Sequence, residues 1–156
     1  MPNASHAALR TASADAPTCA ALDDWRVLVA SGEDAIGFLH GQVTQDLAGL
    51  PADRACLAGY CTAKGRLLAT LVAWRAADGA PDDARLYALV RADLAEALVK
   101  RLSMFVLRAK VKLAVSPLRA AGVQCLPAQV EALQAAAGGA PPVQSWQRVD
   151  LPSGTW

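Results

Sequence analysis

The chain has 156 residues and a formal net charge of +1, and 54% of its residues are hydrophobic. This apolar fraction is enough to build one compact core and excludes a wholly disordered chain. The near-zero charge argues against a protein whose obligatory partner is nucleic acid or an anionic membrane. The longest apolar runs, such as Leu67–Trp74, fall far short of the roughly 20 residues that a membrane-spanning helix needs.

The cysteines are too dispersed to form the close pairs that structural metal sites use, since none stands in a C-x-x-C pair. The first residues, Met1–Thr18, are polar and lack the apolar core of a secretion signal. We therefore expect a cytoplasmic protein with free thiols and no bound metal. The four cysteines are Cys19, Cys56, Cys61 and Cys125.

The first predicted elements are a strand and a helix. Trp25–Val29 is a short apolar run typical of a strand, and the S-x-x-D pattern of Ser31 and Asp34 predicts a capping box. Glycines inside the following helix predict a break near Gly41. Helical spacing places four apolar residues on one face of this helix: Ile36, Leu39, Val43 and Leu47.

A β-hairpin is predicted next, formed by Arg54–Cys61 and Arg66–Arg75 around the turn at residues 62–65. Gly65 is the natural candidate for a positive φ angle in this turn, because it has no Cβ to clash. Residues 76–84 contain glycine, proline and three aspartates, and this composition predicts a surface loop.

The second half contains two further strands and two helices. We predict strands at Arg85–Val90 and Phe105–Val115, and helices at Ala92–Ser103 and Ala128–Ala137. In the strand at Phe105–Val115, basic and apolar residues alternate, which predicts one solvent-exposed face. The helix at Ala92–Ser103 carries an apolar stripe of Leu94, Leu98 and Leu102.

This element order predicts an α+β fold, with an antiparallel or mixed sheet and helices packed on one of its faces. We expect three regions. Residues 1–21 form a flexible leader, residues 22–125 form the α+β domain, and residues 126–156 form a helical appendage with a linker to a missing C-terminal part.

Candidate binding residues lie at the hairpin turn and at the break in the helix before it. Lys64 and Arg66 flank Gly65 and could hold cationic donors near an anionic ligand, or they could be two solvated charges at a hairpin tip. Tyr60 could stack on a flat ring or pack in the core. Gln42, Thr44 and Asp46 lie where the helix breaks, and they either shape a pocket or satisfy local backbone groups.

A basic strip lies in the last predicted strand. Its period of two places the three cations on one face of the sheet, where they could meet a phosphate backbone or a polyglutamate tail. The alternative is a solvated strand face that discourages aggregation. The strip consists of Arg108, Lys110 and Lys112.

Two segments carry a family resemblance: residues 31–46, SGEDAIGFLHGQVTQD, and residues 59–69, GYCTAKGRLLA. Together they resemble the two N-terminal signatures of the YgfZ-type folate-binding proteins, which are relatives of the glycine-cleavage T-protein, an aminomethyltransferase. The resemblance covers roughly residues 22–125. The family's K-G-C-[FY]-x-G-Q-E signature is absent, and we therefore expect this chain to be the N-terminal portion of a longer protein.

The resemblance implies a T-protein-like domain that binds tetrahydrofolate and supports iron–sulfur cluster proteins, with a possible effect on tRNA modification. The expected partners are therefore a folate and iron–sulfur client proteins, with no membrane partner. Binding of tRNA through Arg108, Lys110 and Lys112 is the weaker alternative. The implied folate-binding residues are Tyr60, Lys64, Arg66 and Gln42. The implied structural positions are Gly41, Thr44, Asp46 and Gly65.

One departure from the T-protein bears on catalysis. The aminomethyltransferases have an acidic residue after the glycine turn, whereas residues 66–71 here read RLLATL. Leucine and alanine cannot move a proton, so we expect no catalytic residue in this hairpin and regard an enzyme as the weaker reading. The alternatives are an aminomethyl transferase completed by other parts of the protein, and a non-catalytic module that docks a protein or RNA.

Overall fold

The computed structural model describes residues 16–76 and 84–156. The predicted leader up to residue 15 and most of the predicted loop at 76–84 lie outside the described residues. The described elements, in chain order, are β1 (Thr18–Ala21), β2 (Trp25–Ser31), α1 (Ala35–His40), β3 (Ala55–Cys61), β4 (Leu67–Arg75), β5 (Arg85–Arg91), α2 (Ala92–Ser103), β6 (Lys112–Val115), β7 (Ala121–Gln124), α3 (Val130–Ala137), β8 (Asp150–Leu151) and β9 (Gly154–Thr155).

The central sheet has five strands in the order β3-β4-β5-β2-β6, and every pairing in it is antiparallel. Strand β2 lies between β5 and β6, so that Leu28 faces Ala88 on one side and Val115 on the other. Two small sheets, β1-β7 and β8-β9, complete the described strands. The predicted α+β class with an antiparallel sheet is confirmed.

The hydrophobic core lies between the sheet and the two helices α1 and α2. Alternate strand residues such as Leu28, Tyr60 and Leu86 point into it, and Leu39 and Leu98 meet them from the helices. We call this side of the sheet the helix face. Its presence confirms the prediction that helices cover one face, and the apolar stripe of α2 supplies the contact.

The other side of the sheet, here called the second face, is formed by the strand residues of opposite parity. Leu57 is 54% exposed on this face. Trp74 stacks on Tyr87 with ring centroids 5.7 Å apart. The second face therefore presents apolar and aromatic surface. It consists of Trp25, Val27, Val29, Leu57, Gly59, Thr70, Val72, Trp74, Tyr87, Leu89 and Arg91.

The break near Gly41 is confirmed, since α1 has six residues and ends at His40 with Gly41 as its C-cap. The single stripe through Val43 and Leu47 is wrong, because both residues follow the end of α1. Val43 instead forms an isolated bridge with Tyr60, and Leu47 is buried in the core beside the sheet. The bridge from Val43 to β3 and the burial of Leu47 in the core thus replace a continuation of the helix.

The predicted capping box is also wrong. Ser31 is the last residue of β2, and Asp34 is the N-cap of α1 but makes no capping hydrogen bond with its side chain. Its carboxylate accepts a hydrogen bond of 2.7 Å from the backbone N–H of Lys110 instead. Between them, Gly32 has φ +122 and reverses the chain. A contact distant in sequence has replaced the local cap.

The long strand predicted at Phe105–Val115 is wrong, because only Lys112–Val115 is a strand. The N–H groups of Phe105 and Val106 donate to the last carbonyls of α2, and that of Lys110 donates to Asp34. These groups are therefore unavailable to a sheet ladder. Consequently the three basic residues do not share one strand face, although the alternation in sequence suggested it.

The C-terminal region begins with α3. A short 3-10 turn at Pro127–Gln129 precedes this helix, and Gly138, with φ +79, ends it. The prediction for residues 126–156 is a helical appendage and a linker. In the structure, the N–H of Ala55 donates to the carbonyl of Trp146, and Arg148 is only 7% exposed. The segment after α3 thus packs against the start of β3.

Candidate functional site

The two segments that carry the family resemblance are hydrogen-bonded to each other. The N–H of Thr44 donates to the carbonyl of Gly59 at 2.9 Å, and the N–H of Gly59 donates to Oγ1 of Thr44 at 2.9 Å. A Cβ at Gly59 would lie 3.3 Å from that hydroxyl and 3.0 Å from Leu67. A residue with no side chain therefore lets the two segments approach closely.

Replacing Thr44 with valine tests this junction. The change keeps the shape of the side chain and removes the acceptor of the Gly59 N–H, so we expect a loss of about 1 kcal/mol in the free energy of unfolding. Urea denaturation followed by circular dichroism measures it. Thr70→Val, at an exposed strand position, is the control and should be neutral or slightly stabilising. Equal stabilities of the two variants would contradict a structural role for the Thr44 hydroxyl.

Asp46 and the backbone of Gln42, in the same segment, make local contacts. Asp46 accepts a hydrogen bond from the N–H of Gly49 at 2.9 Å and lies 3.3 Å from Nδ1 of His40. The N–H of Gln42 donates to the carbonyl of Leu39. The side-chain amide of Gln42 has no hydrogen bond to any residue in the described ranges. The predicted contact of Gln42 with folate stays a prediction.

The hairpin turn is built around Thr62. Its N–H donates to the carbonyl of Arg66, its carbonyl accepts from Gly65, and its Oγ1 accepts from the N–H of Arg66 at 3.1 Å. Gly65 has φ +77, which confirms the predicted positive angle. Lys64 and Arg66 are exposed, and within residues 16–76 and 84–156 their side chains form no hydrogen bond or ion pair. The turn thus presents two unneutralised cations.

The same end of the sheet carries an indole and a third cation. Strand register pairs Trp25 with Arg91, and antiparallel pairing places the Leu67 end of β4 beside the Arg91 end of β5. The Arg91 guanidinium lies 5.6 Å from the centroid of the Trp25 ring and 3.5 Å from a carboxylate oxygen of Asp24. The hairpin turn and this pair therefore lie at one end of the sheet, which we call the hairpin end.

Trp25 and Arg91 are not among the site residues predicted from the sequence. Trp25 is the first residue of one predicted strand, and Arg91 directly follows the last residue of another. Their contact depends on the register between β2 and β5, which joins residues far apart in the chain. A tryptophan at a strand start and an arginine at a strand end were the available signals, and neither is specific alone.

Tyr60 lies on the other side of the sheet from Trp25. It is 3% exposed and belongs to the core, whereas Lys64 and Arg66 are exposed at the turn. The structure therefore does not bring Tyr60 onto the same surface as the two cations. The core-packing alternative describes its ring, and its predicted contact with folate stays a prediction.

The basic residues of the last predicted strand lie at the opposite end of the sheet. Lys112 pairs with Ser31, which also pairs with Arg85. Nζ of Lys110 donates to Glu33 at 2.6 Å, and this hydrogen bond raises the pKa of Lys110. Arg108 is exposed in the loop before β6. Among the described residues, basic side chains thus lie at both ends of the sheet, and Lys110 at the second end is paired with an acidic one.

The cysteines are all free thiols, and Cys19 is exposed. Burial raises the pKa of the Cys56 thiol, which favours its neutral form. Within the part of the chain that the structure describes, no group of three His, Cys, Asp or Glu side chains could hold a metal ion. No helix in the same residues is long and apolar enough to cross a membrane.

Comparison with known proteins gives partial matches in sequence. No protein-family model matches the chain. The tRNA-modifying protein YgfZ of Serratia proteamaculans is 39% identical over 62 residues, 40% of this chain and 19% of that protein. YgfZ of Pectobacterium carotovorum is 41% identical over 71 residues, 46% of this chain and 21% of that protein. The matched segments thus span about a fifth of these relatives.

A solved structure matches more of the chain. The glycine cleavage system aminomethyltransferase T of Bartonella henselae superposes with a TM-score of 0.69 over 85% of this chain and 35% of the aminomethyltransferase, at 18% identity. This likeness establishes the fold alone, and the sequence matches point to the YgfZ branch. The chain therefore has a T-protein-like α+β fold of the YgfZ type.

Proposed function

We propose that this chain binds tetrahydrofolate and acts in the cytoplasm as an accessory factor for iron–sulfur cluster proteins, with an effect on tRNA modification. The observation that carries the proposal is the hairpin end, because Lys64 and Arg66 and the Trp25–Arg91 pair lie at the same end of the sheet. The T-protein-like fold and the YgfZ relatives, which are named tRNA-modifying proteins, support it.

The chemistry of a folate matches the hairpin end. A folate has a planar ring system and one or more glutamate carboxylates. Arginine binds carboxylates through two parallel hydrogen bonds, and lysine adds a mobile positive charge. The indole of Trp25 offers an aromatic surface for a planar ring. We assign the carboxylates to Lys64 and Arg66, which form no ion pair with any described residue.

A binding role is favoured over turnover. Residues 66–71 contain no carboxylate, and Thr70, which lies on the second face near the hairpin end, cannot serve as the acid or base that a one-carbon transfer needs. We therefore assign this chain the recognition of the folate and assign it no catalytic residue. A steady-state assay that detects folate-dependent release of a one-carbon unit from this chain would contradict that assignment.

Replacing Arg66 with alanine tests the folate site. Loss of a charge-assisted hydrogen bond should weaken the binding of tetrahydrofolate about tenfold, measured by isothermal titration calorimetry. The matched control is Arg108→Ala, which removes an exposed arginine at the opposite end of the sheet and should leave the affinity unchanged. Equal affinities of the unchanged protein and the Arg66 variant would remove Arg66 from the site.

A further inference from the structure

A groove of about 190 Å³ opens on the helix face, between α2 and the hairpin of β3 and β4. It is lined by Leu68 and Ala69 from β4 and by Leu94 and Leu98 from α2. An apolar cavity of about 150 Å³ is large enough to hold a benzene ring. The groove is therefore the right size for one aromatic ring.

The phenol of Tyr60 is the first polar feature of this groove. Tyr60 lines it and is 3% exposed, yet its hydroxyl has no hydrogen-bond partner among the described residues. Buried phenols usually have a partner, because an unmet hydroxyl costs free energy. Among those residues, one side-chain nitrogen or oxygen is fully enclosed and has no hydrogen-bond partner, and it is Nε of Arg148. The phenol oxygen of Tyr60 is therefore not fully enclosed and keeps some access to solvent. A ligand in the groove could therefore replace solvent as the hydrogen-bond partner of this hydroxyl.

The guanidinium of Arg101 is the second polar feature. Arg101 lines the groove from the last turn of α2 and is exposed. Its guanidinium forms no ion pair or hydrogen bond with any residue in the described ranges. A cation at the opening of an otherwise apolar groove selects a ligand with an anionic group at one end.

We propose that this groove binds a small aromatic carboxylate, with the ring between α2 and β4, the carboxylate on Arg101 and a polar substituent within reach of the Tyr60 hydroxyl. The groove lies on the helix face, whereas Trp25 and Arg91 lie on the second face. Lys64 and Arg66, which we assign to the folate carboxylates, do not line the groove, and the proposal stands without the folate function.

The test uses 4-fluorobenzoate as the probe and follows its fluorine resonance during titration with the protein. We expect saturable binding with a dissociation constant on the order of 1 mM, the range expected of a ligand this small. The uncharged 4-fluorobenzamide should bind about tenfold more weakly, because it lacks the carboxylate. Equal binding of the two compounds, or no binding of either, would overturn the proposal.

Three variants identify the groove. Arg101→Gln should weaken the binding of fluorobenzoate about tenfold, and Ala97→Leu, which fills the groove from an exposed helix position, should abolish it. Lys100→Gln removes the neighbouring cation, which does not line the groove, and should leave the binding unchanged. Circular dichroism checks that each variant folds. If Lys100→Gln weakens the binding as much as Arg101→Gln, the attraction is general and the assignment is wrong.

The folate site provides the last control. Ala97→Leu should leave the binding of tetrahydrofolate unchanged, and Arg66→Ala should leave the binding of fluorobenzoate unchanged. If Ala97→Leu weakens both ligands, the groove is part of the folate site and the proposal of a separate site is wrong. If tetrahydrofolate fails to bind while fluorobenzoate binds and responds to Arg101→Gln, the groove stands and the folate function does not.

Discussion

Replacing Gly32 with alanine is expected to destabilise the protein by about 2–4 kcal/mol, enough to unfold a marginally stable chain. Gly32 has φ +122, where residues with a side chain are strained, and a Cβ there would lie 2.3 Å from the carbonyl oxygen of Lys110. That oxygen belongs to backbone that is tied to α1, because it accepts the N–H of Asp34. The clash therefore cannot be relieved by moving a flexible side chain.

Gly37→Ala is the matched control. Gly37 lies inside α1 without a positive φ, and a Cβ there would have no neighbour within 4 Å. Alanine favours a helix over glycine, so this variant should be as stable as the unchanged protein or more stable by up to about 1 kcal/mol. Thermal unfolding followed by circular dichroism compares the two. A Gly32 variant as stable as the Gly37 variant would show that the loop before α1 differs from the one described.

The second large effect is expected at Arg148, whose side chain is 6% exposed. Its guanidinium donates to the carbonyl of Ala52 and to the carboxylate of Asp150, and so joins the turn before β3 to the start of β8. Arg148→Met keeps most of the apolar stem and removes both contacts. We expect a loss of about 1–3 kcal/mol in the free energy of unfolding by urea.

Arg119→Met serves as the control for Arg148, because Arg119 is exposed and its change should lie within about 0.5 kcal/mol of zero. Arg148→Lys should recover only part of the loss, since one ammonium cannot reproduce the two-pronged contact. If Arg148→Met and Arg119→Met have the same stability, the C-terminal strands do not depend on the buried guanidinium.

Local sequence patterns were sufficient to predict the elements whose structure depends on neighbouring residues in the chain. The hairpin around Gly65 follows from apolar runs on either side of a glycine turn, and α2 follows from the spacing of its leucines. The break at Gly41 was visible because glycine weakens a helix. In each case the residues that decide the structure are close together in the chain.

Prediction failed where a distant group competed for the same backbone atoms. The alternation in Phe105–Val115 is that of a strand, but Asp34 binds the N–H of Lys110 before the strand begins. The same carboxylate is thereby lost to the predicted capping box. No pattern within either segment shows that the two segments meet, and this contact contributes to both errors.

The candidate site was predictable only where it depends on residues that are close together in the chain. Lys64 and Arg66 flank a turn that the sequence reveals, so their exposure could be expected. The Trp25–Arg91 pair depends on strand register, and the enclosure of Tyr60 depends on which face the helices cover. Both are properties of the assembled sheet.

Titration of tetrahydrofolate into the unchanged protein, followed by calorimetry at two salt concentrations, tests whether the hairpin end binds a folate. We expect saturable binding at one site, weakened at the higher salt concentration because Lys64 and Arg66 are exposed and their attraction to glutamate carboxylates is screened. Binding that is absent at both salt concentrations would contradict the assignment of a folate site to the hairpin end.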